Sequence, residues 1–254
     1  MKFLLSLVLL PCLLPFESYA CTTFCLKNKS EVLFGKNYDW PVEDGLVFVN
    51  KRNVQKTAMD GGDPAASWVS RFGSVTYNQF GREQPNGGMN EAGLIVELLW
   101  LSVGQYPAAD ARPALGCLEW IQYQLDHYST VDEVVAAQSE VRIGSTIPLH
   151  YLVCDRNGKC ATIEFLGGKF VPHAGKDLPQ RALTNDSYEA SLAHLKQFKG
   201  FGGDKPIPQD DGSLSRFVIA SAGVQGFESA HPKSAIDYAL HVVHPARQGS
   251  GTKW

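Results

Sequence analysis

The order in which hydrophobic periodicity changes along this chain limits the folds open to it. Residues 22–26 and 32–37 read as two strands, and the polar turn at 27–30 makes them a hairpin. Further strands are predicted at 46–50, 73–79 and 94–101, the last nearly all apolar, as in a strand covered on both faces. The pattern then switches. Leu115, Leu118, Ile121 and Leu125 recur at helical spacing. Thr130-Val131-Asp132-Glu133 is a capping box that opens another helix. Strands return at 149–154, 160–165 and 181–184, the first two joined by an Asn157-Gly158 turn of hairpin type. Helices are predicted near 188–197, 215–222 and 234–243, and residues 200–212, rich in Gly, Pro and Asp, read as a surface loop. Strands in a block, helices, strands again, then helices predict an α+β fold. Its antiparallel sheets are covered by helices, without a regular βαβ alternation.

The N-terminus sets a second constraint. Lys2 is followed by an apolar run over 3–14, then by Ser18 and Ala20 at the −3 and −1 positions of a cleavage site. This is the pattern of a secretory signal peptide. The run is shorter than the roughly 20 residues a bilayer span needs, and Pro11 and Pro15 would break a buried helix there. The expected organisation is a signal peptide at 1–20 and one domain at 21–254, exported to the periplasm or beyond.

Cleavage after Ala20 leaves Cys21 with a free α-amino group. Three readings of that cysteine stand. It is a lipidated anchor of a non-catalytic binding protein, although Ser18 sits where a lipoprotein box usually has Leu. It is an ordinary buried or bridged thiol. Or it is an N-terminal nucleophile. An α-amine with a pKa of about 7.7–8.0 can take the thiol proton at neutral pH and later return it to a leaving amine, so one residue supplies both nucleophile and base. Such a site needs a partner for the amine, a positive charge that favours thiolate, and donors for an oxyanion.

Composition excludes several alternatives. The hydrophobic fraction of 44% is that of a globular chain. A net charge of −3 and the lack of a basic stripe argue against nucleic acid as a partner, and no later segment reads as a membrane span. There is no phosphate loop, Gly-rich dinucleotide turn, HExxH helix or G-x-S-x-G elbow, so no cofactor and no metal are expected. The mature cysteines are Cys21, Cys25, Cys117, Cys154 and Cys160, an odd count that fits one free reactive thiol and up to two bridges. Cys154 and Cys160 flank the Asn157-Gly158 turn; a bridge and two buried thiols both fit that placement.

Five segments carry a resemblance: C-T-T-F at 21–24, G-K-N-Y-D-W at 35–40, G-M-N-E-A-G-L at 88–94, L-T-N-D-S at 183–187 and S-R-F at 215–217. In this order and approximate spacing the chain resembles the choloylglycine hydrolase family over essentially all of 21–254. That family contains penicillin V acylases and conjugated bile acid hydrolases. The resemblance implies an αββα N-terminal nucleophile hydrolase that cleaves linear amides without a cofactor. It implies Cys21 as nucleophile, Asp39 as the carboxylate on the α-amine, Asn185 as a side-chain oxyanion donor and Arg216 as an active-site arginine. A glycan on the Asn185-Asp186-Ser187 sequon would be incompatible with that role.

Two positions depart from the family pattern. Lys36 stands where many members have arginine, keeping the charge but losing the planar fork. Trp100 stands where others have the Asn or Tyr of the oxyanion hole, and a backbone N–H there would make the change harmless. Trp40 and Trp100 are expected to form an aromatic wall suited to an uncharged aryl or long acyl group; two core tryptophans are the plain alternative. The 90–101 block and Trp40 look most like the Gram-negative penicillin V acylase branch, whose related activity includes deacylation of N-acyl homoserine lactones. Bile salt or fatty-acyl amide hydrolysis is the alternative on the same scaffold. By analogy with relatives the chain is expected as a homodimer or homotetramer. Relatives continue for a strand or two beyond a Thr-x-Trp like that at 252–254.

Overall fold

The computed structural model describes residues 20–29, 31–40, 44–229 and 234–243. The predicted leader, Ala20 excepted, and the C-terminal Thr-x-Trp lie outside the described residues. The first strands are β1 (Ala20–Lys27), β2 (Val32–Asp39), β3 (Leu46–Asn50), β4 (Gln55–Thr57), β5 (Ser67–Val69), β6 (Ser74–Asn78), β7 (Gly87–Asn90), β8 (Ile95–Trp100) and β9 (Ala114–Leu115). Helices α1 (Cys117–His127) and α2 (Val131–Ala136) follow, then β10 (Arg142–Ile143), β11 (Leu149–Cys154), β12 (Cys160–Leu166), β13 (Lys169–Ala174) and β14 (Ala182–Leu183). The chain then forms α3 (Tyr188–Leu195), α4 (Ser213–Ser229) and α5 (Ala235–Val243).

Two sheets carry the architecture. One is three-stranded, in the order β14-β1-β2, and the other seven-stranded, in the order β13-β12-β11-β8-β7-β6-β3. Their pairings are antiparallel. Strand alternation separates two cores. From β11, Tyr151 points to the helical layer, where its ring lies 4.4 Å from that of Trp120 and its hydroxyl donates to the Cys117 carbonyl. The alternate residues Leu152 and Cys154 pack with Cys21, Phe24 and Cys25 of β1 and with Phe217 and Val218 of α4. The layers are therefore α1 and α2, the large sheet, the small sheet, and α3 to α5: the expected αββα sandwich.

The predicted elements are present, and six strands were not foreseen: β4, β5, β7, β9, β10 and β13. β13 contains Pro172, which reads against a strand but is tolerated at the sheet edge that β13 occupies. The two-residue link before it, Gly167-Gly168, has φ of 56° and 73°, a left-handed pair open to glycine. β7 reads Gly-Gly-Met-Asn and has no strand propensity of its own. It is held as a strand by β6 and β8 on either side. β5 holds only three residues and pairs with β4 outside the main sheets. At the β11–β12 hairpin Cys154 and Cys160 form a disulfide, settling that pair as bridged. Cys21, Cys25 and Cys117 are free and buried. Among the described residues no helix is long and apolar enough to cross a membrane.

Candidate active site

The β1–β2 register builds the site. Ala20 lies opposite Asp39, Cys21 opposite Tyr38, Thr22 opposite Asn37 and Thr23 opposite Lys36. Residues directly opposite share a sheet face, so Cys21, Tyr38 and Lys36 point one way and Thr22, Asn37 and Asp39 the other. The first face meets the large sheet. There Lys36 Nζ pairs with Glu97 Oε2 of β8 at 2.5 Å and donates to the Asn86 carbonyl at 3.0 Å. The second face meets α4, whose Arg216 reaches Thr22.

Arg216 is 1% exposed. Its NH1 donates to Thr22 Oγ1 at 2.8 Å and to the Cys21 carbonyl, its NH2 to Asn185 Oδ1 at 2.8 Å, and its Nε to the Asp211 carbonyl at 2.9 Å. A buried charge needs such a set of acceptors. The planar fork lets one guanidinium join β1, the segment after β14 and the loop before α4.

Asn185 is the second hub. Its Oδ1 accepts from the Cys21 backbone nitrogen at 2.8 Å as well as from Arg216, and its Nδ2 donates to the Trp100 carbonyl at 3.0 Å. Two donors on one side and a carbonyl on the other fix which end of the amide is oxygen. Its backbone N–H donates to Ser213 Oγ at 2.9 Å. Trp100 thus joins the site through its carbonyl.

Ala20 precedes Cys21 in β1, so the nitrogen held by Asn185 is here a peptide nitrogen. The Asp39 carboxylate accepts from Asn37 Nδ2 at 2.7 Å, and the Asp39 backbone hydrogen-bonds the Cys21 thiol. Burial pushes that thiol's pKa up, against the pull of the Lys36 and Arg216 charges. The two cations are where the sequence reading wanted them, yet burial outweighs them and the thiol is the favoured form. Burial also lowers the Arg216 pKa, which the charges of Cys21 and Asp39 oppose. Glu97 is raised by burial, with Lys36 as the counterweight.

Removing the Lys36 charge has a defined sign. In Lys36→Met the thiolate loses its leading electrostatic support, so the Cys21 pKa rises further. The iodoacetamide alkylation profile of Cys21, followed by mass spectrometry, then moves to higher pH than in the parent protein. An unmoved profile would show that Lys36 does not act on the thiol.

The aromatic wall is present. The Trp40 and Trp100 ring centroids are 6.4 Å apart, and Tyr38 stacks on Trp40 at 6.1 Å. Both tryptophans are half-buried, so they are not plain core residues. A separate cavity of about 930 Å³ is lined by residues including Phe80, Tyr106, Cys117, Arg142 and Ile147, and by none of the residues gathered at Cys21. The hydrogen bonding at Cys21, rather than that cavity, defines the site.

All seven residues singled out from sequence, Cys21, Lys36, Asp39, Trp40, Trp100, Asn185 and Arg216, come together here. Thr22, Tyr38, Asn86, Glu97 and Ser213 were missed. Glu97 carried a legible signal, because a carboxylate inside the apolar run Ile-Val-Glu-Leu-Leu-Trp needs a partner. The others have no such mark.

Known proteins resemble this chain in sequence and fold. A penicillin V acylase of Pectobacterium atrosepticum is 30% identical over 226 residues, covering 80% of this chain; the chain spans 59% of that relative's length. The structure of penicillin V acylase from Agrobacterium tumefaciens superposes with a TM-score of 0.80 at 28% identity, over 92% of this chain and 74% of that one. A mutant conjugated bile acid hydrolase from Clostridium perfringens shares the fold, with a TM-score of 0.74 at 19% identity, over 92% of this chain and 80% of that one. Residues 21–226 match the family described as linear amide C-N hydrolases, choloylglycine hydrolase family, and the match begins at Cys21 itself. The chain belongs to the choloylglycine hydrolase family.

Proposed function

We propose that the chain is exported, that its leader is removed after Ala20, and that Cys21 then hydrolyses linear amides with its own α-amine as base. The observation that carries this reading is the grip of Asn185 Oδ1 on the Cys21 nitrogen, 2.8 Å away, with Arg216 on the same oxygen. After cleavage that nitrogen is an amine, with one N–H held by Asn185 and the Asp39 carboxylate close by as counter-charge. The amine takes the thiol proton, and the sulfur attacks the amide carbon. The second N–H of Asn185 Nδ2 serves the oxyanion. The protonated amine then passes its proton to the leaving nitrogen, and a thioester remains. Water, activated by the same amine, releases the acid.

The Tyr38–Trp40–Trp100 wall supports an acyl group that is apolar and uncharged, an aryl or long acyl chain. In penicillin V this places the cut at the side-chain amide and leaves the β-lactam ring intact. Two measurements test the proposal on the exported protein. Mass spectrometry of its N-terminus should find an unmodified Cys21; a diacylglyceryl adduct there would sink the reading. Amine release should be measured from penicillin V, glycocholate and a long-chain N-acyl homoserine lactone. Penicillin V and the lactone should be turned over faster than glycocholate. Negligible rates on all three would reject the substrate class.

A further inference from the structure

His150 and Glu164 are both 0% exposed, and neither belongs to the constellation described above. They lie on the neighbouring strands β11 and β12, one pair beyond Tyr151↔Ile163. His150 alternates with Tyr151 and so faces the small sheet, as Leu152 and Cys154 do. A histidine and a glutamate buried between two sheets are costly unless each polar atom finds a partner.

The partners lead to the active site. His150 Nδ1 lies 3.1 Å from Glu164 Oε1, and His150 Nε2 lies 2.7 Å from the Thr184 carbonyl oxygen. Thr184 is itself 0% exposed and directly precedes Asn185. A carbonyl only accepts, so Nε2 carries the hydrogen. Glu164 holds the ring from the other side and is fixed in turn by the Tyr188 backbone N–H, which donates to Oε1 at 2.9 Å. The other carboxylate oxygen, Oε2, has no hydrogen-bond partner and lies 3.4 Å from His173 Nε2.

The peptide that joins Thr184 to Asn185 is thus pinned from two elements. His150 holds its carbonyl oxygen, and Ser213 Oγ accepts from its N–H at 2.9 Å. β14 ends at Leu183, so no strand ladder fixes this peptide. The ring bridges the large sheet to the end of the small one, where the side chain that grips the Cys21 nitrogen begins.

We propose that His150, oriented by Glu164, is a positioning residue for the Cys21 site: its Nε2–H locks the Thr184 carbonyl and thereby sets where the Asn185 amide sits. The inference rests on the amidase reading for its kinetic test only. A misplacement of catalytic groups by about 1 Å can cost on the order of 10² in rate. His150→Leu removes the donor at similar volume. His150→Gln keeps an N–H at the position of Nε2.

The test uses the leader-free protein and an amide it hydrolyses. His150→Leu should lower kcat about 10²-fold and leave KM nearly unchanged, and His150→Gln should recover most of that loss. Wild-type kcat in a folded His150→Leu protein overturns the proposal, as does a His150→Gln protein as impaired as the leucine variant. Should His150→Leu not fold, Glu164→Gln takes its place, because it loosens the ring while keeping an acceptor for Tyr188. Its kcat should fall and its KM hold, and an unchanged kcat counts against the proposal. The Asn185 side-chain amide signal in a ¹H–¹⁵N spectrum, assigned with Asn185→Asp, gives a readout that needs no turnover. It should move in His150→Leu or Glu164→Gln and stay near its place in His150→Gln. A signal unmoved in the first two variants sinks the positioning role even if the protein proves inactive on every amide tried. Inactivity with a moved signal sinks only the amidase reading.

Discussion

Cys21→Ala abolishes amide hydrolysis while the protein remains folded. Both halves of that expectation come from the same geometry. The Asn185 and Arg216 contacts that hold residue 21 are made to its main chain, to the nitrogen and the carbonyl oxygen, and among the described residues only the Asp39 backbone reaches the thiol. Alanine keeps both. The loss of one small buried side-chain atom costs about 1 kcal/mol, which a urea titration would register as a modest shift of midpoint. The reaction, by contrast, loses its only sulfur in the constellation, since Cys25 lies further along β1 and is packed beside the Cys154–Cys160 disulfide. Residual turnover above background in a folded Cys21→Ala protein would place the chemistry elsewhere. Cys21→Ser should fold equally well and stay nearly inactive, because a hydroxyl surrenders its proton to an amine far less readily than a thiol does.

Arg216→Met should damage stability as well as rate. The guanidinium donates to four acceptors, the Cys21 and Asp211 carbonyls, Thr22 Oγ1 and Asn185 Oδ1. The methionine leaves them without that donor in a buried pocket. Each buried acceptor left unpaired costs about 1–3 kcal/mol, and the same change unfastens Asn185 from the orientation that presents Oδ1 to the Cys21 nitrogen. Activity should fall by about 10²-fold or more. Arg216→Lys keeps the charge but offers a point donor in place of the fork. It should recover stability more fully than rate. A stability loss within about 1 kcal/mol for Arg216→Met, below that expected for several buried acceptors left unpaired, would show that the pocket tolerates unpaired acceptors. The network would then not be what holds the site.

Much of the site was legible before any coordinates. Cys21 was marked by the small residues ahead of it, and Asp39, Asn185 and Arg216 by motifs that recur in one order across a family. Arg216 carried an independent mark, a charge inside an apolar helical run. What the motifs could not convey was which atom meets which. Trp100 was expected near the oxyanion through a backbone N–H, and its carbonyl also accepts from Asn185 Nδ2. The thiol was expected to be tuned toward thiolate by nearby cations, and burial outweighs them. Thr184 lay inside a quoted motif without a role, and His150 and Glu164 were not singled out, although Glu164 inside the apolar strand Cys-Ala-Thr-Ile-Glu-Phe-Leu carries the same mark as Glu97. One histidine and one glutamate in apolar strands look like isolated exceptions until the register puts them side by side.

The sequence by itself determined the element order, the hairpin that carries Cys21, the family, and the identity of the residues that gather around the thiol. Those follow from local periodicity and from residue types at fixed spacing, which a chain displays without folding. Only the tertiary structure decided how the two faces of β1 are divided, with Lys36 and Tyr38 toward the large sheet and Thr22 and Asp39 toward α4. It alone decided that Asn185 and Arg216, 164 and 195 residues from Cys21, close on its main chain. The reason is physical: strand register and burial are set by packing between layers. A one-residue slip would turn every side chain of β1 to the opposite face.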